Sequence, residues 1–311
     1  MIAKESAVIL EVKNLIKSFG NKRVVDDVSF KVKRGSFFAL LGSNGAGKTT
    51  TLGIILLFLK ANYGSVYFNG CNYVDSYRNI AYFKSQIGIV FQESILDQEL
   101  SIIQNLEIVA SLYHLSNKEQ KKRIQEVIEI LEIDHSLLKR KVKFLSGGEK
   151  RKIDIARAII NDPKILFLDE LTAGLDPKAQ NIVWKLIQKL NKEKKVTVVF
   201  TTHYLEEAEK SDQVLILHKG KIIDNDNVDN LKNKYHLNYI LVSGSKNEKM
   251  ELLLIKNKIN FVYKDDCYHI YFNDEEELNL YLSKLNEFLK NFKIIKGSMR
   301  DVFLHAVGEE I

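Results

Sequence analysis

A glycine-rich run followed by a lysine and two threonines has the most specific chemistry in the sequence. It follows the apolar segment Phe37–Leu41 and fits the pattern G-x-x-x-x-G-K-[ST], with the residues Gly42, Ser43, Asn44, Gly45, Ala46, Gly47, Lys48, Thr49 and Thr50. Glycines let successive backbone N–H groups turn inward around phosphates, and a helix N-terminus behind them favours negative charge. We expect Lys48 to reach the β- and γ-phosphates and the Thr49 hydroxyl to ligate Mg²⁺. The alternative is a glycine-rich turn without a ligand.

Two adjacent carboxylates follow another apolar segment. Ile165–Leu168 runs directly into Asp169 and Glu170. At a strand end near a phosphate loop, Asp169 is suited to hold Mg²⁺ through water, and Glu170 to orient and polarise the attacking water. A solvated Asp-Glu pair is the alternative, and the phosphate loop upstream argues against it.

A third segment, Ser146–Glu149, combines a helix cap with two glycines. Its S-x-x-E pattern predicts a capping box that opens a helix whose buried face contains Ile153, Ala156 and Ile160. Glycine costs about 0.5–1 kcal/mol relative to alanine inside a helix, so capping alone gives no reason for Gly147 and Gly148. The two glycines indicate a second role for this segment, in which a phosphate approaches its backbone.

The elements around these residues predict an α/β fold. Alternating apolar residues predict antiparallel strands over Val8–Val12 and Val28–Val32, and the continuous run at Phe37–Leu41 predicts a buried strand. Residues 100–160 show helical periodicity, with apolar positions at Ile124, Val127, Ile128 and Leu131. We therefore expect a mixed sheet core, an antiparallel β subdomain and a helical insertion.

The C-terminal part changes character, and we divide the chain into domains 1–235 and 236–311. The residue pattern of 236–311 predicts a strand, a helix, a hairpin, a helix and a strand. This order is typical of a small α+β ferredoxin-like domain. Its predicted core residues are Ile255, Phe261, Leu278, Leu282 and Leu285. Without a phosphate-binding or metal pattern, this domain is expected to be regulatory or to stabilise a dimer. A dispensable folded appendage is the alternative.

Composition excludes several classes of protein. With 45% hydrophobic and 28% charged residues the chain is typical of a globular protein, and it shows no apolar run long enough for a membrane helix and no secretory signal. The net charge of +6 is scattered through lysine pairs rather than held in a block, so no nucleic-acid partner is expected. Cys71 and Cys267 lack metal or redox spacing, which favours a reducing cytoplasm.

Taken together, these segments resemble the ABC ATPase family over residues 8–225. The resemblance rests on the phosphate loop (Gly42–Thr49), on the signature segment (Ser146–Glu149), and on Gln92, Asp169, Glu170, Asp176 and His203, which stand in the family's order. It implies ATP and Mg²⁺ as cofactors, with Thr49, Gln92 and Asp169 at the metal and His203 at the γ-phosphate. Phe19 stands where an aromatic side chain stacks on adenine, with a structural role in a hairpin as the alternative.

The resemblance also implies a head-to-tail dimer, either a homodimer or a heterodimer with a related ATPase. ATP on the phosphate loop of one subunit is covered by Ser146, Gly147 and Gly148 of the other, and Asp176 signals across the interface. Three positions depart from the family pattern: Glu149 replaces the usual Gln, Leu171 the usual Pro, and Phe19 the commoner Tyr. None of them removes a catalytic group, although Glu149 adds a negative charge near the γ-phosphate.

The segment Met299–Gly308 and the run from His203 to Glu209 are similar to ATPases of bacterial ABC-2 type exporters. This resemblance implies an ATP-hydrolysing subunit that powers export through a separate transmembrane permease, bound peripherally at the cytoplasmic face of the cell membrane. An uptake-system ATPase and a channel-less regulatory ATPase are the alternatives.

Overall fold

The computed structural model describes residues 7–113 and 116–308. Within them the chain forms two compact units. The first comprises residues up to Tyr204 together with Ser211–Ile223, and the second comprises Leu205–Lys210 and the chain from Asp224 onward. The predicted domains 1–235 and 236–311 were defined by expected role as well as by compactness. This division stays a prediction.

The first unit contains an antiparallel sheet near the N-terminus. Its strands are β1 (Val8–Phe19), β2 (Lys22–Lys33), β4 (Tyr63–Phe68) and β5 (Cys71–Asn72), in the order β2-β1-β4-β5. The predicted turn after Phe19 joins β1 and β2, where Gly20 has a φ of 56°. This sheet confirms the predicted antiparallel subdomain.

The phosphate loop and the two carboxylates lie at strand ends of a six-stranded sheet. Its order is β10-β9-β3-β8-β7-β6, and β3, β6, β7, β8 and β9 pair in parallel. The strands are β3 (Phe37–Leu41), β6 (Ile87–Val90), β7 (Ile165–Asp169), β8 (Thr197–Thr202), β9 (Gln213–His218) and β10 (Lys221–Asp226). The central strands β3, β7 and β8 are almost entirely buried, and β3 and β7 are nearly continuous apolar runs as expected for strands covered on both faces.

Helices cover this sheet and form the insertion. They are α1 (Lys48–Ile55), α2 (Tyr77–Ser85), α3 (Ile102–Ser111), α4 (Asn117–Ile130), α5 (Gly147–Ile159) and α6 (Pro177–Lys194), with 3₁₀ turns at His135–Leu137 and Val142–Phe144. Serine caps with reciprocal Gln or Glu bonds open α3, α4 and α5. The apolar positions predicted for α4 and α5 are buried, as expected.

The second unit contains the predicted ferredoxin-like arrangement. Its elements are α7 (Leu205–Ala208), α8 (Val228–Lys234), β11 (Tyr239–Ser243), α9 (Glu248–Lys256), β12 (Phe261–Lys264), β13 (Cys267–Tyr271), α10 (Glu275–Lys284), β14 (Phe292–Ile295) and α11 (Met299–Val307), with a 3₁₀ turn at Asn286–Phe288. The strands pair antiparallel in the order β12-β13-β11-β14. The βαββαβ prediction is therefore confirmed.

The prediction that Ile255 belongs to the core of this unit is wrong. Ile255 is 65% exposed, because the buried face of α9 is formed by Met250 and Leu254, one turn apart, and the next position points away. Leu278 and Leu285 are buried as predicted. The other two predicted residues, Phe261 and Leu282, are partly buried and pack against this core.

Candidate functional site

The phosphate loop links the buried end of β3 to the first turn of α1. Gly47 adopts the left-handed conformation with a φ of 105°, and a Cβ there would lie 2.7 Å from the Val24 carbonyl oxygen. A Cβ at Gly42 would lie 2.4 Å from the Leu217 carbonyl oxygen. The loop therefore requires glycine at both positions, since any side chain would collide with the backbone of a neighbouring strand or turn.

Lys48, the first residue of α1, is buried at the base of this loop. Its ammonium donates to the carbonyls of Gly42 at 2.8 Å and Ser43 at 3.2 Å, and lies 3.7 Å from Glu170 Oε1. Burial lowers the pKa of Lys48, while the charge of Glu170 acts in the opposite direction. The geometry places a desolvated cation beside the loop that is predicted to hold phosphates.

A cavity of about 340 Å³ lies over the loop. It brings together residues predicted from distant parts of the sequence: Asn44, Gly45, Gly47, Lys48, Thr49, Thr50, Gln92 and Glu170. Val24, which also lines it, carries no sequence signal that separates it from other strand residues. Phe19 is 49% exposed at the end of β1 and is not among the lining residues; the Lys17 ammonium lies 5.1 Å from its ring centre.

The two carboxylates lie at the end of β7, beside the end of β8. Glu170 Oε1 lies 3.3 Å from His203 Nδ1, although the geometry is not that of a hydrogen bond. Asp169 accepts a hydrogen bond from Thr201 at 2.5 Å. Burial raises the pKa of Asp169, with the Glu170 charge adding to the shift and the Thr201 hydrogen bond opposing it. Thr201 was not anticipated from the sequence.

A second unanticipated residue, Arg151 on α5, holds the segment that carries Gln92. Its guanidinium donates to the carbonyls of Phe91 at 2.6 Å and Gln92 at 2.8 Å. Asp154, one turn along α5, lies 3.9 Å from Arg151 and accepts from the Ser94 hydroxyl at 3.1 Å. The helix opened by the signature segment therefore holds the Gln92 segment at two points, through the Phe91 and Gln92 carbonyls and the Ser94 hydroxyl.

The signature segment forms a different cavity, of about 490 Å³, with Asp176. Ser146 and Glu149 make the predicted capping box, and the backbone N–H and hydroxyl of Ser146 lower the pKa of Glu149. A Cβ on Gly147 would lie 3.3 Å from Leu175 Cδ2, and one on Gly148 would lie 3.1 Å from Ala179 Cβ. Close packing against Ala179 on α6 is thus a structural reason for Gly148 that the sequence did not reveal, whereas Gly147 meets only the movable tip of the Leu175 side chain.

Asp176 caps α6. Its carboxylate accepts from the backbone N–H groups of Lys178 and Ala179, both at 3.0 Å. Among the lining residues described, the signature cavity and the phosphate-loop cavity share none. The described residues therefore form two separate cavities, one at the phosphate loop and one at the signature segment.

Comparison with known proteins gives the family. A family model described as ABC transporter matches residues 25–173, which include the phosphate loop, Gln92, the signature segment and both carboxylates. The Nod factor export ATP-binding protein I of Rhizobium johnstonii is 32% identical over 310 residues, covering 98% of this chain and 97% of the relative. The chain belongs to the ABC transporter family, as an ATP-binding subunit. The linearmycin resistance ATP-binding protein LnrL of Bacillus subtilis is 38% identical over 69% of this chain and 68% of the relative.

Solved ABC structures share the fold of most of this chain. The dimeric structure of a bacterial ABC transporter cassette is 29% identical with a TM-score of 0.64, covering 71% of this chain and 99% of that one. The same coverage, identity and score hold for a dimeric post-hydrolysis cassette bound to ADP and Pi. The cbiO1 protein of Clostridium perfringens, part of the ABC transporter complex cbiONQ, is 27% identical with a TM-score of 0.68, covering 81% of this chain and 96% of that one.

These findings confirm the predicted ATP-hydrolysing subunit of the ABC transporter family, and two of the matched solved cassettes are themselves dimeric. The residues suit the ATP-bound Mg²⁺ of the expected reaction, since the Thr49 hydroxyl, the Gln92 amide and the Asp169 carboxylate supply the oxygen ligands that Mg²⁺ prefers. Thr49 is among the side chains that oppose the rise of the Asp169 pKa caused by burial, although its effect is smaller than that of Thr201. Within the described residues, no helix is long and apolar enough to cross a membrane.

Proposed function

We propose that this ABC subunit hydrolyses Mg²⁺-ATP at the phosphate-loop cavity and thereby powers export through a separate permease. The observation that carries the proposal is the convergence of Lys48, Gln92 and Glu170 on one cavity, although they come from α1, the segment after β6 and the end of β7. Phosphoryl transfer needs a cation for the phosphates and a carboxylate for water, and this cavity offers both.

The residues take distinct roles in this proposal. Lys48 binds the β- and γ-phosphates, and Glu170 orients the water and accepts its proton. His203, beside Glu170, contacts the γ-phosphate. Thr49, Gln92 and Asp169 hold Mg²⁺, which when bound neutralises charge on the phosphate oxygens.

The adenine base and the dimer partner complete the proposed site. Phe19 stacks on adenine, and its exposed ring can do so without unpacking β1. Ser146, Gly147 and Gly148 of the opposite subunit close over the γ-phosphate, where the N-terminus of α5 favours negative charge. The separation of the two cavities within one chain supports this composite site.

Exposed apolar side chains around Gln92 support a permease contact. Phe58 and Ile95 are both more than half exposed, and the Phe58 ring lies 5.7 Å from that of Phe91, next to Gln92. An exposed apolar group of this kind is typical of a protein interface. A permease docked there would hold this subunit at the cytoplasmic face of the cell membrane and sense ATP through Gln92.

Export is the favoured direction because relatives that match nearly the whole chain are named for export. The test is ATP-driven transport by this subunit with the permease that copurifies with it. We expect cargo to accumulate inside inside-out vesicles, and uptake by right-side-out vesicles would contradict the export assignment. ATP hydrolysis without any associated membrane protein would favour the channel-less alternative.

The C-terminal domain, 236–311, is proposed to stabilise the dimer or its coupling to the permease. Two solved cassettes are matched over 99% of their own length by 71% of this chain, and we expect a chain ending at Tyr235 to fold and to bind ATP. We expect it to dimerise less readily in saturating ATP than the full chain, measured by sedimentation. Equal dimerisation and equal transport would leave the domain as an appendage.

A further inference from the structure

Thr201 lies at the point where the two central strands bring their functional residues together. Strands β7 and β8 pair in parallel, with Asp169 opposite Thr201 in the register. The Thr201 side chain is buried, with the residue 1% exposed. Two residues later, β8 leads into His203, so the same strand end supplies both residues to the site.

The Thr201 hydroxyl makes two hydrogen bonds, one to each carboxylate residue. It donates to Asp169 Oδ1 at 2.5 Å and accepts from the backbone N–H of Glu170 at 3.1 Å. A hydroxyl group can donate one hydrogen bond while it accepts another, so both bonds form at once. The side chain of one carboxylate residue is thereby tied to the backbone of the next.

The bond to Glu170 acts on an unusual backbone conformation. Glu170 has a φ of 43°, in the left-handed region that residues other than glycine rarely adopt. Such a conformation persists only where the surroundings hold it. It directs the Glu170 carboxylate toward Lys48 at 3.7 Å and His203 at 3.3 Å.

We propose that Thr201 is a positioning residue for ATP hydrolysis, which holds the Asp169 carboxylate and the Glu170 backbone in their working geometry. It touches neither nucleotide nor water in this proposal, and it acts through the other two residues. The inference rests on the proposed roles of Asp169 and Glu170.

The chain offers a matched control on the same strand. Thr197 is fully buried on β8, and its hydroxyl accepts from the backbone N–H of Gly35 at 2.9 Å. Thr197→Val and Thr201→Val each remove a buried hydroxyl that accepts from a backbone N–H, and Thr201→Val also removes the hydrogen bond to Asp169. A general effect on stability should therefore appear in both variants, and a positioning effect only in Thr201→Val.

The experiment compares Thr201→Val, Thr201→Ser and Thr197→Val in the full-length protein. We expect Thr201→Val to lower kcat at least about ten-fold with little change in KM for ATP, because displaced catalytic groups affect turnover more than ground-state binding. Thr201→Ser keeps the hydroxyl and should recover most of the turnover. Thr197→Val should stay within about two-fold of the parent kcat, since its hydroxyl lies far from the site along β8.

A second readout does not depend on activity. Amide hydrogen exchange at Glu170, followed by NMR without nucleotide, should be faster in Thr201→Val than in Thr197→Val, because its hydrogen-bond acceptor is lost. If Thr201→Val does not fold, Thr201→Ala serves in both measurements. A kcat for the Thr201 variant equal to that of Thr197→Val, or unchanged exchange at Glu170, would overturn the inference.

Glu170→Gln, assayed beside these variants, distinguishes a failure of the positioning role of Thr201 from a failure of the catalytic role of Glu170. Loss of turnover in Glu170→Gln with normal turnover in Thr201→Val rejects only the positioning role. Normal turnover in Glu170→Gln rejects the proposed catalytic role on which the inference rests.

Discussion

Arg151→Met is expected to lower stability more than most single substitutions. Arg151 is 5% exposed, and its guanidinium donates to the carbonyls of Phe91 and Gln92 at 2.6 and 2.8 Å, beside the buried carboxylate of Asp154. Hydrogen bonds to charged groups contribute about 1.5–3 kcal/mol each, and removal of one partner of a buried ion pair costs about 3–5 kcal/mol. Because these contributions overlap, we expect a loss of about 3–5 kcal/mol in total, or roughly 10 °C in Tm for a unit of this size.

The pH dependence of this loss follows from Asp154. Burial raises the pKa of Asp154 above its ordinary value of 3.8, with Arg151 among the charges that oppose the shift. A raised carboxyl pKa gives a contribution to stability that is present at low pH and is lost as pH rises through the folded-state pKa. Without Arg151 the pKa should rise further, so the deficit should be smaller in acid and grow toward neutral pH.

Thermal unfolding of Arg151→Met, Arg151→Met/Asp154→Asn and Lys150→Met tests this reasoning. Lys150 neighbours Arg151 on α5, and its substitution should change stability by about 0.5 kcal/mol or less. The double variant should recover part of the loss, because no uncompensated carboxylate remains. A change in Arg151→Met no larger than in Lys150→Met, or a deficit independent of pH, would refute the assigned role.

Three further substitutions test the ATP site. Lys48→Ala should abolish measurable ATP binding or hydrolysis, since removal of a desolvated charge partner costs about 3 kcal/mol or more, and unchanged nucleotide affinity by calorimetry would contradict it. Phe19→Ala should weaken ATP binding by about 1–3 kcal/mol with little loss of stability, as for other base–aromatic stacks, whereas equal affinity would assign the ring to the hairpin alone. Glu149→Gln should keep the Ser146 cap and strengthen ATP-driven dimerisation at low salt more than at high salt. An equal or weaker dimer by sedimentation would remove the proposed repulsion.

Much of this fold follows from the sequence because apolar periodicity reports burial directly. Continuous apolar runs mark β3 and β7, and the phosphate loop and the carboxylates stand where those runs end. Ile255 was misassigned because a short helix with several consecutive apolar residues leaves the position of its buried face undetermined.

The supporting residues of the site could not be predicted in the same way. Thr201 acts through the register of β7 against β8, which no periodicity specifies. Its only signal is a polar pair, Thr201 and Thr202, at the end of an apolar strand just before His203. Arg151 bonds to backbone carbonyls of a segment distant in sequence, and such contacts leave no pattern in the side chains of either partner.

The central claim is that Glu170 activates water for ATP hydrolysis, and turnover of Glu170→Gln tests it most directly. The substitution keeps the shape of the side chain and removes the base, so ATP should still bind while kcat falls by about 10²–10⁴-fold. Sedimentation in saturating ATP should then show an accumulated ATP-bound dimer. Near-normal hydrolysis by Glu170→Gln, with no trapped dimer, would contradict the account.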